Sequence, residues 1–134
     1  MTLNELLKAA TEISRIGGDH TLKYFRKGVK VERKGDESPV TIADRETEEI
    51  MRKEIKHRFP DHGIIGEEFD PENEDSDIQW ILDPIDGTKS FIHGIPLYTN
   101  LIGITIKGKP QIGIIHAPAM NELCAAAIGQ GFFL

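Results

Sequence analysis

The chain has 134 residues, 39% of them hydrophobic and 28% charged, which suits one globular domain with a core and excludes an intrinsically disordered chain. Its formal net charge of −6 disfavours nonspecific nucleic-acid binding, because an acidic surface repels phosphate backbones. With one cysteine, no apolar run near ~20 residues and no signal-peptide pattern, the sequence predicts a cytoplasmic protein without a disulfide, a cysteine zinc site or a membrane span.

The N-terminal part of the chain predicts two helices separated by a strand and a polar loop. In chain order these are a helix over residues 3–27, a strand over 29–33, a loop over 34–38 and a helix from about 41 to 58. Thr2 and Glu5 form the sequence pattern of a capping box, and Pro60 cannot continue the second helix. The glycine pair at 17–18 indicates either a kink or close packing.

The remaining chain predicts mostly strands. They cover residues 63–66, 78–82, 97–107, 111–116, 123–128 and 132–134. Gly108-Lys109-Pro110 is predicted to close a hairpin between two of them. Two helices against a largely antiparallel sheet make the expected fold class α+β. The apolar chain end predicts that further structure follows or that a partner covers it.

The strongest chemical signal is the hexapeptide DPIDGT that begins at Asp83. Asp83 and Asp86 put two carboxylates at one rim of a sheet, and the Ile85 carbonyl can point between them. Oxygen ligands at this density suit Mg²⁺. Gly87 lets the backbone approach a ligand, and Thr88 can open a helical turn whose N–H groups face an anion. The spacing alone leaves open a second interpretation, an Asp-capped strand-to-helix turn.

Two further acids support the metal interpretation. Glu67 and Glu68 follow the apolar run 63–66, and clustered like charges cost stability unless a cation binds. Neighbours on an extended chain point to different sides, so Glu67 is assigned to the metal and Glu68 to supporting it. By contrast, the residues alone give Asp44 only the role of a first-turn helix acid and Lys34 that of an exposed lysine.

Four stretches, in this order, resemble the inositol monophosphatase family of metal-dependent, lithium-sensitive phosphatases. They are residues 34–44 (KGDESPVTIAD), 65–68 (IGEE), 80–88 (WILDPIDGT) and 91–96 (FIHGIP). The resemblance covers residues 1–134 and implies the N-terminal half of a layered αβαβα sandwich. The family's second half carries a Trp-Asp motif that completes the second metal site. Its absence implies a shortened or incompletely recorded protein, which alone is expected to be inactive or nearly so.

The resemblance also implies a role for each site residue. Four positions correspond to ligands of Mg²⁺, of which the complete fold holds two or three: Glu67, Asp83, the Ile85 carbonyl and Asp86. The backbone N–H groups of Gly87 and Thr88 correspond to the phosphate holders, with Ile85 and Asp86 beside them. Asp44 and Thr88 correspond to the pair that activates the attacking water. Together with Glu67 they make up the expected catalytic residues. Lys34 corresponds to a lysine near the loop that steadies an additional metal.

The implied activity is in-line hydrolysis of a small phosphate monoester by metal-activated water, without a phosphoenzyme. Residues 89–98 look most like the histidinol-phosphatase branch, so histidinol phosphate or an inositol monophosphate is the expected substrate. A phosphatase for adenosine bisphosphate or sugar bisphosphate, and a noncatalytic metal- or phosphate-binding half-domain, stay open as alternatives. The full-length form is expected to be a homodimer that acts on a small phosphorylated metabolite, without nucleic-acid or membrane partners.

Overall fold

In the computed structural model, which describes residues 1–28, 31–33 and 39–133, two long helices pack on one face of a six-stranded sheet. The helices are α1 Leu3–Thr21, α2 Ile42–Arg58 and the short α3 Thr88–Ile92. The strands are β1 Val31–Arg33, β2 Pro39–Thr41, β3 Gly63–Ile65, β4 Ile78–Asp86, β5 Thr99–Ile106, β6 Lys109–Ala117, β7 Glu122–Ala127 and β8 Gly131–Phe133.

The sheet runs in the order β3-β4-β5-β6-β7-β8, and β3–β4 is its parallel pair, while β1 and β2 form a separate antiparallel pair. Consecutive strands are neighbours throughout, and β4 to β8 form an antiparallel meander. The predicted α+β class, with helices against a largely antiparallel sheet, is confirmed. None of the helices in the described part of the chain combines the length and apolar character needed to span a membrane.

Helix α1 starts where the sequence predicts and stops early. The Thr2 hydroxyl accepts the Glu5 N–H at 3.1 Å in the expected capping box. The predicted extension to residue 27 is wrong, because the helix ends at Thr21 and turns follow. The chain leaves the helix axis there, and Phe25 packs against the ring of Tyr98 at a centroid distance of 5.2 Å. Aromatic packing therefore overrides the helical periodicity.

The glycine pair of α1 serves close packing, since the helix runs through it without interruption. A β carbon on Gly17 would lie 2.6 Å from the Met51 sulfur, and one on Gly18 would overlap the His116 ring. The His116 ring nitrogen Nδ1 lies 3.0 Å from the Ser14 carbonyl. The absence of side chains at 17–18 thus lets α1 sit directly on α2 and β6.

Apart from shifts of one or two residues at strand ends, the strands differ from the prediction at three places. The β5–β6 hairpin turns at Lys107 and Gly108, which both have positive φ, one residue earlier than predicted. Strand β2 was not predicted. Strand β4 continues four residues beyond Leu82, through the segment interpreted as a turn. The predicted loop 34–38, residues 29–30 and Leu134 lie outside the described residues.

The main core lies between the two long helices and the sheet. Its fully buried side chains include Ile13, Met51, Ile55, Ile64, Trp80, Leu82, Ile104 and Ile114. The other face of the sheet is apolar but uncovered: Ile81 is 44% exposed and Ile115 is 53% exposed. The described chain therefore buries one of the two faces of its sheet.

One hydrogen bond of the core requires a neutral histidine. Trp80, which is fully buried, donates from Nε1 to His62 Nδ1 at 2.9 Å, and the Phe59 ring stacks on His62 at 4.6 Å. The acceptor nitrogen must be unprotonated. Burial lowers the pKa of His62, and the nearby Asp61 offsets part of that shift.

Because this hydrogen bond needs a neutral His62, we expect the protein to lose stability in acid. The unfolded chain binds a proton on His62 at about pH 6.5, whereas the folded chain resists it, so stability is lost as pH falls through that value. In a His62→Asn variant, Oδ1 keeps an acceptor that does not titrate in this range. Urea unfolding at pH 8 and pH 5.5 should show the wild-type chain losing stability relative to this variant. An equal stability difference at both pH values would contradict the assignment.

Candidate metal and phosphate site

The acidic residues predicted to bind a metal lie at one edge of the sheet. Strands β3 and β4 are parallel, with Ile65 opposite Ile81, so their carboxyl ends reach this edge side by side. Glu67 comes two residues after Ile65, and Asp83 comes two residues after Ile81. Both acids therefore follow the last paired residues of neighbouring parallel strands, Glu67 in the turn after β3 and Asp83 within β4. Glu67 is exposed and Asp83 is half-buried.

A β-bulge in β4 brings the two aspartates to the same side of the strand. Asp83 pairs with Leu101 and Asp86 with Thr99, so β4 has one residue more than β5 over this stretch. Residues three apart in a regular strand face opposite sides, and one extra residue reverses this. Burial agrees, because both intervening residues are buried while Asp83 is half-buried and Asp86 exposed. The alternative interpretation, an Asp-capped turn into a helix, is wrong about the cap, because β4 runs to Asp86 and α3 follows Gly87 without a side-chain cap.

Asn100, which was not among the predicted site residues, stabilises the bulge by a hydrogen bond from its side chain. Its fully buried side chain donates from Nδ2 to the Pro84 carbonyl at 2.9 Å and accepts from the Ser14 hydroxyl at 3.2 Å. A bulge disrupts the ladder of backbone hydrogen bonds, and a buried carbonyl left without a donor costs ~1–3 kcal/mol. Asn100 supplies that donor, and Ser14 on α1 fixes the orientation of the amide.

Asp44 and Thr88 meet where α2 and α3 begin. Thr88 Oγ1 lies 3.3 Å from Asp44 Oδ2 and 3.2 Å from the Ile85 carbonyl, so its single hydrogen has two acceptors. The other oxygen of Asp44 accepts from the Thr41 backbone N–H at 2.9 Å and its hydroxyl at 2.6 Å. Asp44 is only 4% exposed. It therefore caps α2 with one oxygen and contacts Thr88 with the other.

Gly87 turns the chain from β4 into α3. Its φ of 85° and ψ of 46° lie in the left-handed region, where glycine is favoured. The first turn of α3 has no side-chain cap, and the Phe91 N–H bonds to the Gly87 carbonyl at 3.0 Å. The N–H groups at the start of a helix have no partner within that helix. Those of Thr88 onward are thus oriented towards the space beyond the α3 start.

A buried ion pair between Glu48 and Arg52, neither of which was predicted as a site residue, lies behind Glu67 and Glu68. Glu48 is fully buried and accepts the N–H groups of Glu67 and Glu68 at 2.8 and 2.9 Å. Arg52 donates from Nε to Glu48 at 2.9 Å. Residues 44, 48 and 52 are spaced by four, so they form one stripe of α2. The spacing of four residues from Asp44, which caps α2, was the signal in the sequence that could have identified Glu48 and Arg52.

The described residues include the oxygen ligands that a hard cation prefers, but their side chains do not come together in one cluster. No three His, Cys, Asp or Glu side chains within 1–28, 31–33 and 39–133 form a group that could hold a metal ion. The donors offered by Glu67, Asp83, Asp86 and the Ile85 carbonyl are all oxygens, which fits Mg²⁺. Glu68, which follows Glu67 in the chain, is half-buried. Lys34 lies outside the described residues.

Comparison with known proteins gives matches along the whole chain. The sequence model of the inositol monophosphatase family matches residues 2–134. The histidinol-phosphatase of Chlorobaculum parvum is 46% identical over 129 residues, which are 96% of this chain and 50% of that protein. Inositol monophosphatase 3 of Solanum lycopersicum is 36% identical over 140 residues, 99% of this chain and 51% of that protein.

A solved structure confirms the fold. The crystal structure of the extragenic suppressor protein suhB from Bartonella henselae superimposes with a TM-score of 0.90 at 31% identity. The superposition covers 96% of this chain and 51% of that chain. The present chain therefore spans about half the length of the relatives that it matches.

We expect the bulge to depend on the Asn100 amide. Asn100→Leu keeps a similar volume but leaves the buried Pro84 carbonyl without its donor, so unfolding free energy should fall by ~1–3 kcal/mol in urea titrations. Ser14→Ala removes only the bond that orients the amide and should cost less. An Asn100→Leu chain as stable as the wild type would show that the bulge needs no such donor.

Proposed function

Because the chain belongs to the inositol monophosphatase family, we propose that it forms the metal- and phosphate-binding part of a Mg²⁺-dependent phosphatase for small phosphate monoesters. The bulge in β4 carries this proposal, since it turns Asp83 and Asp86 to one side at the end of a buried strand. Carboxylate oxygens on one side of a strand can serve as ligands of the same hard cation.

Four oxygen donors would hold the cation: the side chains of Glu67, Asp83 and Asp86 and the carbonyl of Ile85. The complete protein is proposed to take two or three Mg²⁺ ions per site, with Lys34 near the loop that steadies an additional, mobile ion and Glu68 supporting Glu67. Bound Mg²⁺ lowers the pKa of a coordinated water and neutralises phosphate charge. The net charge of −6 makes such neutralisation necessary for an anionic substrate.

Thr88 and Asp44 are proposed to orient the attacking water. The Asp44 carboxylate, held by Thr41, can accept the Thr88 hydroxyl hydrogen at 3.3 Å. With its hydrogen committed, the hydroxyl oxygen presents lone pairs that accept a hydrogen bond from water. The water is then aligned for in-line attack, and its proton has a route through the hydroxyl towards the carboxylate. Burial of Asp44 keeps this pair in one geometry.

The start of α3 is proposed to hold the phosphate. The left-handed Gly87 lets the backbone pass close to a ligand without a side chain in the way, and the uncapped first turn offers the Thr88 N–H. These donors directly follow Asp86 in the chain, so a phosphate that they held would lie close to the carboxylates proposed to hold the cation.

Histidinol phosphate is the substrate that we propose first. A histidinol-phosphatase is 46% identical to this chain, whereas Inositol monophosphatase 3 is 36% identical. Residues 89–98 give the same preference. Inositol monophosphate is the next candidate, and adenosine bisphosphate or sugar bisphosphate would require the same chemistry. Inhibition by lithium, a cytoplasmic location and a homodimeric full-length form, without nucleic-acid or membrane partners, complete the proposal.

A second candidate is that the 134-residue chain by itself binds metal or phosphate without turnover. Two observations favour it. The chain spans about half of its relatives, and its described carboxylates do not form a group of three. Phosphate release measured for this chain beside a protein extended to the relatives' length separates the two candidates. We expect activity in the extended protein and little or none in this chain.

Asp86→Asn should abolish turnover in the extended protein. Loss of a ligand should exceed the ~10–100-fold cost of losing a neighbour that only orients a ligand. Phosphate release from histidinol phosphate and inositol 1-phosphate, with Mg²⁺, with a chelator and with lithium, measures the effect. Asp75→Asn, in an exposed acidic loop, removes the same charge elsewhere and should leave the rate unchanged. Undiminished activity in metal-free buffer would overturn the proposal.

A further inference from the structure

We propose that the buried carboxylate of Glu48 is a positioning residue, which holds the turn after β3 so that Glu67 faces the cation. The inference rests on the proposed function, because it assigns a purpose to Glu67 as a ligand. Glu48 itself is fully buried and stays behind the turn. It acts through the backbone of the turn.

Every lone-pair position of the Glu48 carboxylate is used. One oxygen accepts the N–H groups of Glu67 and Glu68 at 2.8 and 2.9 Å. The other accepts the Phe69 N–H at 3.2 Å and the Arg52 Nε–H at 2.9 Å. A carboxylate offers about four acceptor positions, so none is left over. Three successive N–H groups aimed at one carboxylate fix the backbone of the turn and direct its side chains outward.

Arg52 holds the same turn by its carbonyl groups. Its Nη2 donates to the Phe69 carbonyl at 3.1 Å and its Nη1 to the Asp70 carbonyl at 2.9 Å. Nη1 also lies 3.0 Å from Glu72 Oε1. The ion pair on α2 thus bonds to both kinds of backbone group in the turn. Glu48 accepts from its N–H groups, and Arg52 donates to its carbonyls.

Gly66 gives an independent sign that the carboxylate belongs at this place. A β carbon built on Gly66 would overlap the Glu48 carboxylate, so any side chain there would push it away. Gly66 is not among the glycines with positive φ. Glycine is therefore required here for space and not for backbone conformation. The sequence Gly-Glu-Glu thus combines a gap for the carboxylate with the turn that it holds.

The position of Glu48 on α2 connects the two parts of the site. Asp44, which contacts Thr88, lies one helical turn earlier on the same stripe. One rigid helix therefore fixes the start of α3 through Asp44 and the turn after β3 through Glu48. A buried ion pair is weak evidence for stability, since desolvation can cancel its attraction. The presence of the Glu48–Arg52 ion pair is better explained by its role in positioning the turn after β3.

The test is Mn²⁺ binding by the 134-residue chain, followed through the electron paramagnetic resonance signal of free Mn²⁺. In Glu48→Gln, an amide N–H₂ replaces one carboxylate oxygen and faces either a turn N–H or Arg52, so the turn must shift. The dissociation constant should rise by ~10–100-fold, the usual effect of losing a group that orients a ligand. Gly66→Ala, which displaces the carboxylate without changing charge, should weaken binding in the same direction and covers the case that Glu48→Gln does not fold.

Two controls separate positioning from general destabilisation. Ile112→Val loosens the buried core on β6 and should leave the dissociation constant unchanged despite lower stability. Glu49→Gln removes a neighbouring exposed acid on α2, paired with Lys53 at 3.8 Å, and should also leave it unchanged. A wild-type dissociation constant in both Glu48→Gln and Gly66→Ala would overturn the positioning role of Glu48 and leave the proposed function intact. No Mn²⁺ binding by the unaltered chain would contradict the proposed function as well.

Discussion

The extra residue in β4 is the constraint from which the site geometry follows. Without it, Asp83 and Asp86 would face opposite sides of the strand. With it, both lie on one side, and the chain reaches Gly87 in position to turn into α3. The turn brings Thr88 against Asp44. Because a bulge leaves backbone groups unpaired inside the protein, it persists only with a buried donor such as Asn100.

Helix α2 supplies the second constraint through a polar stripe inside the protein. Asp44, Glu48 and Arg52 are all buried, an arrangement that contributes little net stability by comparison with an apolar stripe. Each contacts backbone or hydroxyl groups of a segment at the edge of the sheet. Adjacent positions of the same helix, including Met51 and Ile55, pack into the core. The helix therefore anchors the fold with one stripe and positions the site with another.

The parts of this structure that depend on local sequence were predictable, and the parts that depend on pairing were not. The cap of α1, the extent of α2 and the acidic segments followed from spacing and residue type. The bulge depends on the register of β4 against β5, which no local pattern contains. The early end of α1 depends on Phe25 packing against Tyr98. Asn100 and Glu48 acquire their roles only from groups distant in sequence. The contact between Asp44 and Thr88 was expected from the family resemblance alone.

We propose that the bulge presents Asp83, Asp86 and the Ile85 carbonyl to one cation, with Glu67 as a further ligand. Anomalous diffraction from crystals soaked in Mn²⁺ tests it directly, because the ion is located independently of the protein. We predict a peak within direct coordination distance of oxygens of Asp83 and the Ile85 carbonyl, with Glu67 or Asp86 completing the protein ligands. A peak elsewhere, or none at this edge of the sheet, would contradict the account.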